Sequence, residues 1–444
     1  MKLKILAIGI MLMMIGSTFV ATAKLKDIGS TEKTAAYDTK EMRAALYSME
    51  ETNGSIINIK ASSSYEYGLK AGKLFKREYR LIDNLVARFT KKIDIYQKNI
   101  ENQINYMGQN YPFFLEELRG LSASTNIKLD NLIFLQNKLC SLFDGECTTT
   151  LSTGPATKNN ETFLTQNIDG PTGGVKNLLG LIKARAFTLK CWVVKINTMN
   201  YKYAFWGIPI ICEIPFLNEM GLGFGGNGLG ITENKSRYID EGSGMSTYML
   251  ERLTMMTCKN VSEVATLWKN TERSSGTDRS WPHFWDNSIS VWCDKEGGIL
   301  MIEQTHNHII TVFGNSTDIT GAPEGILWHA NHHQWLDPNE TGSVYPSEYP
   351  SSDLRARRAR ELLETNYGNI TLDTCMKLTR DHGGGYNKDG KDSGDICRHP
   401  DKNSLKITAF SWIIMPKELT VYWTHTSPCK GIFWKHDFSK IFDV

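Results

Sequence analysis

One change of character divides this chain. Up to Cys140 apolar residues recur at steps of three and four; after Cys147 they run in short β-branched and aromatic stretches bounded by glycine and proline. A chain that is helical first and strand-rich afterwards folds as an α+β protein. The join is Asp144-Gly145-Glu146-Cys147-Thr148-Thr149-Thr150. Gly145 marks a turn, and a cysteine ahead of three threonines reads as the first residue of a strand. Cys147 is therefore expected at a strand edge.

Ahead of the join, residues 24–55 are polar and without period, and organisation begins at Tyr65-Glu-Tyr-Gly-Leu-Lys-Ala-Gly72. Leu81, Leu85, Phe89, Ile93, Tyr96, Ile100, Ile104 and Met107 predict one long amphipathic helix. Pro112 restarts the chain, and 113–120 and 129–137 read as two more helices. Beyond Cys147 strands are expected at 163–167, 191–197, 203–214 and 221–232, then a helical stretch at 246–269. Strands 289–293 and 299–303 flank the hairpin loop Asp294-Lys-Glu-Gly-Gly298, and strands 308–313 and 326–330 follow. Helices near 353–364 and 372–380 precede a closing hairpin, 407–415 and 419–424, around Pro416. No repeat or low-complexity tract interrupts the 444 residues.

A net charge of +2 gives no basic patch to recruit nucleic acid. Lys2 and Lys4, the apolar run 5–20 and Ala21-Thr22-Ala23 match a secretory signal cut after residue 23. The run is short of the ~20 residues of a membrane span, so no stable anchor is expected and the location is secreted or lumenal. In that setting seven sequons, at Asn53, Asn160, Asn234, Asn260, Asn315, Asn339 and Asn369, are candidate glycan sites. Nine cysteines, an odd number, allow up to four disulfides, with Cys147 the candidate for the odd one.

Several motifs carry less than they promise. Gly221-Leu-Gly223-Phe-Gly-Gly226, with Asp240 downstream, fits a dinucleotide fingerprint, but glycines continue where a helix should open. His382-Gly-Gly-Gly385 is similar to an esterase oxyanion loop, yet no Gly-x-Ser-x-Gly elbow exists in the chain. It reads as a turn. His329, His332 and His333 lack zinc-type spacing to cysteines, and papain-type signatures are missing. The sequence calls for no cofactor and no metal.

A cut before Cys147 would give that residue a thiol nucleophile and an α-amino base with a pKa near ~7.7–8.0. The plainer reading is a buried or disulfide-bonded cysteine. The rest of the chain decides between them. Glu116-Glu-Leu-Arg-Gly-Leu-Ser-Ala123, Cys147-Thr148, Gln166-Asn-Ile-Asp169, the glycines around Asn227 and His329-Ala-Asn-His332 occur in the order of one family. Ser352-Asp-Leu-Arg355, Asp381-His382, Asp395-Ile-Cys-Arg-His399 and Ser427-Pro-Cys429 extend the agreement. From about residue 60 onward the chain resembles the acyl-coenzyme A:6-aminopenicillanic-acid acyltransferase family, with bile-salt hydrolases as more distant relatives.

That resemblance implies the four-layer αββα sandwich of N-terminal-nucleophile hydrolases. It also implies a precursor that cuts itself between Glu146 and Cys147. The divisions would be a signal peptide (1–23), a helical part (24–146) and a catalytic sheet-rich part (147–444), the last two in one integrated domain. Glu146 departs from the family's glycine at that position. The implied site is Cys147 as nucleophile, Asp169 holding its amine, Asn331 donating to the oxyanion with Asn227 as a second donor, and Arg355 favouring the thiolate. Of Arg355, Arg357, Arg358 and Arg360 on one helix, most are expected at the surface. The implied substrate is a small N-acyl amide or peptide-like amine, attacked through a thioester. Water as acceptor makes an amidase and an amine makes an acyltransferase; secretion, away from cytosolic coenzyme A, favours water. An uncleaved, non-catalytic secreted glycoprotein on the same scaffold is the alternative, and oligomeric state stays open.

Overall fold

The computed structural model describes residues 56–76, 79–80, 83–84, 97–142, 146–171, 191–229, 244–273, 288–387, 390, 393–400, 406–424 and 426–443. The expected signal peptide, the lead-in 24–55, Gly145, Asp240 and the sequons at Asn53 and Asn234 lie outside these residues. The last part of the helix expected over 81–107 is α2 (Gln97–Asn110).

Two sheets face each other. The larger has the order β1 (Ile56–Ala61), β4, β5, β6, β7, β8, β9, β10, and the smaller β11-β2-β3-β12-β13-β14. In the larger sheet, β4 (Cys191–Ile196), β5 (Tyr203–Ile208), β6 (Cys212–Asn218), β7 (Gly223–Gly228), β8 (Ser288–Cys293), β9 (Ile299–Gln304) and β10 (Ile309–Phe313) pair antiparallel. The smaller sheet contains β2 (Cys147–Ser152), β3 (Phe163–Pro171), β11 (Ile326–His329), β12 (Lys406–Met415), β13 (Thr420–Trp423) and β14 (Trp434–Asp437). β2 and β3 pack on β7, β3 also on β8, and β11 on β9, which makes the inter-sheet core.

Helices cover both outer faces. α1 (Ser64–Leu74) packs on β1, α4 (Leu129–Leu142) and α5 (Thr247–Thr257) on β6, and α6 (Val261–Asn270) on β9. Against the smaller sheet lie α7 (Pro350–Thr365), on β2 and β11, and α8 (Leu372–Thr379), on β3 and β12. The order is helix, sheet, sheet, helix, the expected αββα layering.

Three departures from the sequence pattern have physical causes. β1 (Ile56–Ala61) sits ahead of the expected start of organisation and pairs parallel with β4; six residues make too short a run to show a period by themselves. The strand expected over 203–214 is two strands, because Ile210 has a positive φ of 67° and turns the chain. The helix expected over 246–269 is also two. Cys258 and Asn260 are extended, and the Asn260 side chain caps α6 by accepting from Glu263 N at 2.9 Å.

No disulfide joins the described cysteines. This corrects the expectation of up to four bridges among them; the side chain of Cys140 lies outside the described residues. Cys191, Cys212 and Cys293 sit on β4, β6 and β8, each two strands apart in the sheet. Two strand spacings are about 9–10 Å, beyond the ~7 Å Cα limit of a disulfide. Parity therefore no longer singles out Cys147, and only its position does.

A buried ionic network joins the outer helices to the larger sheet. α1 and α3 (Pro112–Thr125) approach almost backbone to backbone: a Cβ on Gly68 would lie 2.0 Å from Glu117 O, and one on Gly120 2.1 Å from Tyr65 O. Glu117 is thus held where Arg252 of α5 donates to it at 2.9 Å. Arg252 Nε donates to Glu213 on β6 at 2.8 Å, and Tyr67 and Tyr203 donate to the same carboxylate at 2.7 and 2.5 Å. Burial lifts Glu117 to about 7, against the pull of Arg252.

Candidate active site

Cys147 opens β2 opposite Ile168 of β3 and is 3% exposed. Side chains alternate along a strand, so Cys147 and Thr149 share one face and Glu146 and Thr148 the other. The threonine run is buried throughout, and each hydroxyl has a partner. Thr150 Oγ1 is 2.6 Å from Thr165 Oγ1, Thr148 accepts from Arg355 at 2.9 Å, and Thr149 donates to Asn227 Oδ1 at 2.5 Å. Asn227 lies on β7 of the facing sheet, so Cys147 shares its face with the inter-sheet layer. Asn227 Nδ2 is buried with no partner among the described residues.

The glycines of β7 have a steric reason. A Cβ on Gly225 would lie 2.7 Å from Gln166 Oε1, and Gln166 bridges the sheets by donating to Gly226 O at 2.5 Å. The Gly221–Gly226 run thus serves sheet packing in the middle of an antiparallel sheet. A strand-to-helix turn, which a dinucleotide site would need, is not what it forms.

The peptide bond between Glu146 and Cys147 is held at both polar ends. Asp169 N–H donates to Glu146 O at 2.8 Å, and Cys147 N–H donates to Asn331 Oδ1 at 3.0 Å. Arg355 is fully buried on α7, whose inward face also carries Ser351, Ser352, Ala356, Ala359 and Leu363. It donates to Cys147 O at 2.6 Å, to Asn331 Oδ1 at 2.7 Å and to Glu146 Oε2 at 3.3 Å. Its helix mates lie on other faces: exposed Arg357 pairs with Asp353, half-covered Arg360 with Glu364, and the more buried Arg358 with Asp381.

Asp169 is 1% exposed. Its Oδ1 accepts from Thr408 at 2.7 Å, and its Oδ2 has no partner among the described residues. Burial raises its pKa to about 6, against Arg355, Thr408 and Lys406. Cys147 is pushed up to about 12, by burial first and then by the Asp169 charge. Arg355 and hydrogen bonds from the Gln166 side chain and the Asp169 backbone oppose that rise. Burial therefore favours the protonated thiol at neutral pH.

Asn331 is fixed on three sides. Beyond its Oδ1 bonds, its N–H donates to Ser352 Oγ and its Nδ2 to Gly228 O, both at 2.6 Å. The loop that carries it is organised by Glu303 of β9, which lies 2.6 Å from His329 Nε2 and accepts from the N–H groups of Gln334, Trp335 and Leu336. Burial disfavours the Glu303 charge, but His329 and these donors outweigh it and hold its pKa down to about 2. His332, 2.8 Å from Ser352 Oγ, and His333 are dropped by burial to about 3 and about 4.

Cys147, Asp169, Asn331 and Arg355 thus meet around one peptide bond, while Asn227 reaches the Cys147 strand through Thr149, two residues further on. Asn331 Nδ2, expected to donate to an oxyanion, donates instead to Gly228 O. The sequence did not point to Glu303 or Thr408, and it gave Arg398 no role beyond a place in the Asp395–His399 motif. Arg398 joins Arg355 and Lys406 on the Glu146 carboxylate, with Lys406 at 3.5 Å. A lone glutamate at a strand end or an arginine in a loop carries no signal until its distant partner is known.

A family model described as acyl-coenzyme A:6-aminopenicillanic acid acyl-transferase matches residues 157–395, more than half of the chain. The chain belongs to this acyltransferase family. Membership makes it an enzyme of the amide hydrolase and acyltransferase class, acting on carbon–nitrogen bonds. Asp169, Asn227, Asn331 and Arg355 fall inside the family match, and Glu146 and Cys147 just ahead of it. No curated protein matches the sequence significantly. Among solved structures, penicillin V acylase from Agrobacterium tumefaciens aligns with a TM-score of 0.41 and 12% identity over 66% of this chain and 87% of that one. A mutant conjugated bile acid hydrolase from Clostridium perfringens aligns with a TM-score of 0.40 and 12% identity over 66% and 93%. These likenesses are weak, and the family assignment rests on the sequence match.

Proposed function

We propose that this chain is an N-terminal-nucleophile cysteine amidase that matures by cutting itself between Glu146 and Cys147. The observation that carries this reading is the clamp on that one bond, with Asp169 N–H on its carbonyl and Asn331 Oδ1 on its N–H. An N–H on the carbonyl oxygen is placed to stabilise the charge that develops there when the bond is attacked.

In the cut, Cys147 Sγ adds to the Glu146 carbonyl carbon, the C–N bond breaks, and the thiol proton passes to the departing Cys147 amine. Water then opens the thioester. Glu146 is left with a carboxyl group and Cys147 with both thiol and α-amine. The amine supplies a base for the thiol, whose protonated form burial favours. Asp169 Oδ2, buried and unpartnered among the described residues, is an acceptor suited to that amine. Asn227 Nδ2 is a donor in search of an oxyanion.

In turnover the thiol proton moves to the α-amine, sulfur attacks the carbonyl of a small N-acyl amide, and the amine product leaves with that proton. Water releases the acid from the thioester; an amine acceptor in its place completes an acyl transfer. Lys2, Lys4 and the run 5–20 support passage through the secretory pathway, which favours hydrolysis. N-terminal sequencing and intact mass of the purified protein test the reading. Two pieces, one beginning at Cys147, are expected from wild type, and one uncut chain from Cys147→Ala. A wild-type chain that stays whole and inert after long incubation would leave a non-catalytic binding role in its place.

A further inference from the structure

Away from the nucleophile, four residues from three segments converge. His382 follows α8, Cys397 and His399 precede β12, and Cys429 follows β13. One ligand atom of each lies within 4.8 Å of every other. His399 Nε2 is 3.1 Å from Cys429 Sγ and 3.9 Å from Cys397 Sγ, and the His382 and His399 rings stand at 70° with centroids 5.0 Å apart. In a tetrahedral zinc site, with bonds of ~2.3 Å to sulfur and ~2.0–2.1 Å to nitrogen, ligand atoms stand about 3.3–3.8 Å from one another. The spacing observed brackets that range.

We propose that His382, Cys397, His399 and Cys429 form a structural zinc site. Two sulfurs and two imidazole nitrogens are the donor set that selects zinc over the harder divalent cations. Binding replaces the two thiol protons, which go to solvent, so two thiolates and two neutral imidazoles balance the charge of Zn²⁺. Four protein ligands leave no open position, which marks the site as structural and separate from the chemistry at Cys147. Cys397 is buried and His382 exposed, so the ion enters from the His382 side.

What the zinc would hold is the wall of the active site. Cys397 N–H donates to Asp381 O at 2.9 Å, next to His382. On one side of Cys397, Ile396 O accepts from Asn167 at 2.8 Å. On the other, Arg398 reaches Glu146, and its N–H donates at 2.8 Å to Thr408, the donor to Asp169. The ion thus fixes the segment that grips both Glu146 and Asp169.

Elemental analysis of the full chain after dialysis against a weak chelator should find about one zinc per chain. His382→Ala, at an exposed position, and Cys397→Ser/Cys429→Ser should lose it. In wild-type protein, where no variant has to fold, a mercurial thiol reagent should release the zinc to a colorimetric chelator. Cobalt substitution should give the visible bands of tetrahedral thiolate coordination. Cys147→Ala should keep the metal, so this test stands apart from the one for self-cleavage. Protein without zinc, zinc unmoved by the mercurial or by His382→Ala, or a Cys397–Cys429 disulfide in non-reducing peptide maps would overturn the proposal.

Discussion

Thr149 Oγ1 donates to Asn227 Oδ1 across the two sheets, and this single contact decides which end of the Asn227 amide remains available. With the oxygen taken, Nδ2 is left unpartnered among the described residues on the face shared with Cys147. Asn331 is in the opposite condition, since its Oδ1 and Nδ2 both have protein partners.

The two asparagines should therefore fail differently. If Asn227 Nδ2 serves the proposed oxyanion, Asn227→Ala should cut turnover by roughly 10²–10³ with KM little changed. Asn331→Ala removes the acceptor of Cys147 N–H and should slow the cut itself. Steady-state kinetics on processed protein, beside a gel time course of the precursor, separate the two. Equal effects of both variants on both readouts would contradict this division.

Asp169 sets a pH dependence with opposite signs for activity and stability. Its carboxylate must be charged to hold an amine, and its pKa stands at about 6 in the folded chain. Turnover by the processed protein, in which the proposed amine is present, should rise between pH 4.5 and 8 as this carboxyl ionises, and Asp169→Asn should turn over slowly at every pH. Because the folded pKa is above the usual 3.8, the folded chain binds this proton more tightly than the unfolded chain does. Its contribution to stability is then full below about 3.8 and lost as pH rises through about 6. Denaturation curves of wild type and Asp169→Asn should diverge in that window.

The layering, the hairpins and the position of Cys147 were legible because period and turn residues act locally. Asp169, Asn331 and Arg355 were legible only through family order, and their partners were not legible at all. Glu303 reads as the polar end of an apolar strand, yet it organises the loop that aims Asn331. The cysteine count misled for the same reason. Parity concerns number, while pairing depends on which strands become neighbours. Gly68 and Gly120 show the limit from another side, since neither reveals that it faces a helix met only after folding.

The buried network under the larger sheet carries a stability prediction. Arg252 is fully buried between Glu117 and Glu213, and removing it leaves two carboxylates facing each other without a cation. Arg252→Met should destabilise the chain by about 3–5 kcal/mol, read by chemical denaturation. The triple change Arg252→Met, Glu117→Gln, Glu213→Gln should recover part of that loss, because no buried charge is then left unpaired. A single variant as stable as wild type would mean that the network is not closed in solution.

Glu146 offers the sharpest test of how the cut is arranged. Its carboxylate meets Arg355, Arg398 and Lys406, while its carbonyl accepts from Asp169 N–H, so the side chain and the carbonyl of this one residue are both held. Where the resemblance implies glycine, this chain has a side chain that three cations grip. The grip orients the bond, and a displacement of about 1 Å at a reacting carbon can cost on the order of 10²-fold in rate. Glu146→Gln keeps the shape but removes the charge that pairs with two buried guanidinium groups. The precursor should then be cut about tenfold to a hundredfold more slowly, measured by the appearance of the Cys147 terminus after a pulse of synthesis. Lys406→Met, which removes the most exposed of the three cations, should slow the cut less. If Glu146→Gln and Glu146→Gly were both cut at the wild-type rate, the three cations would be no more than packing around the bond, and the clamp would reduce to Asp169 and Asn331.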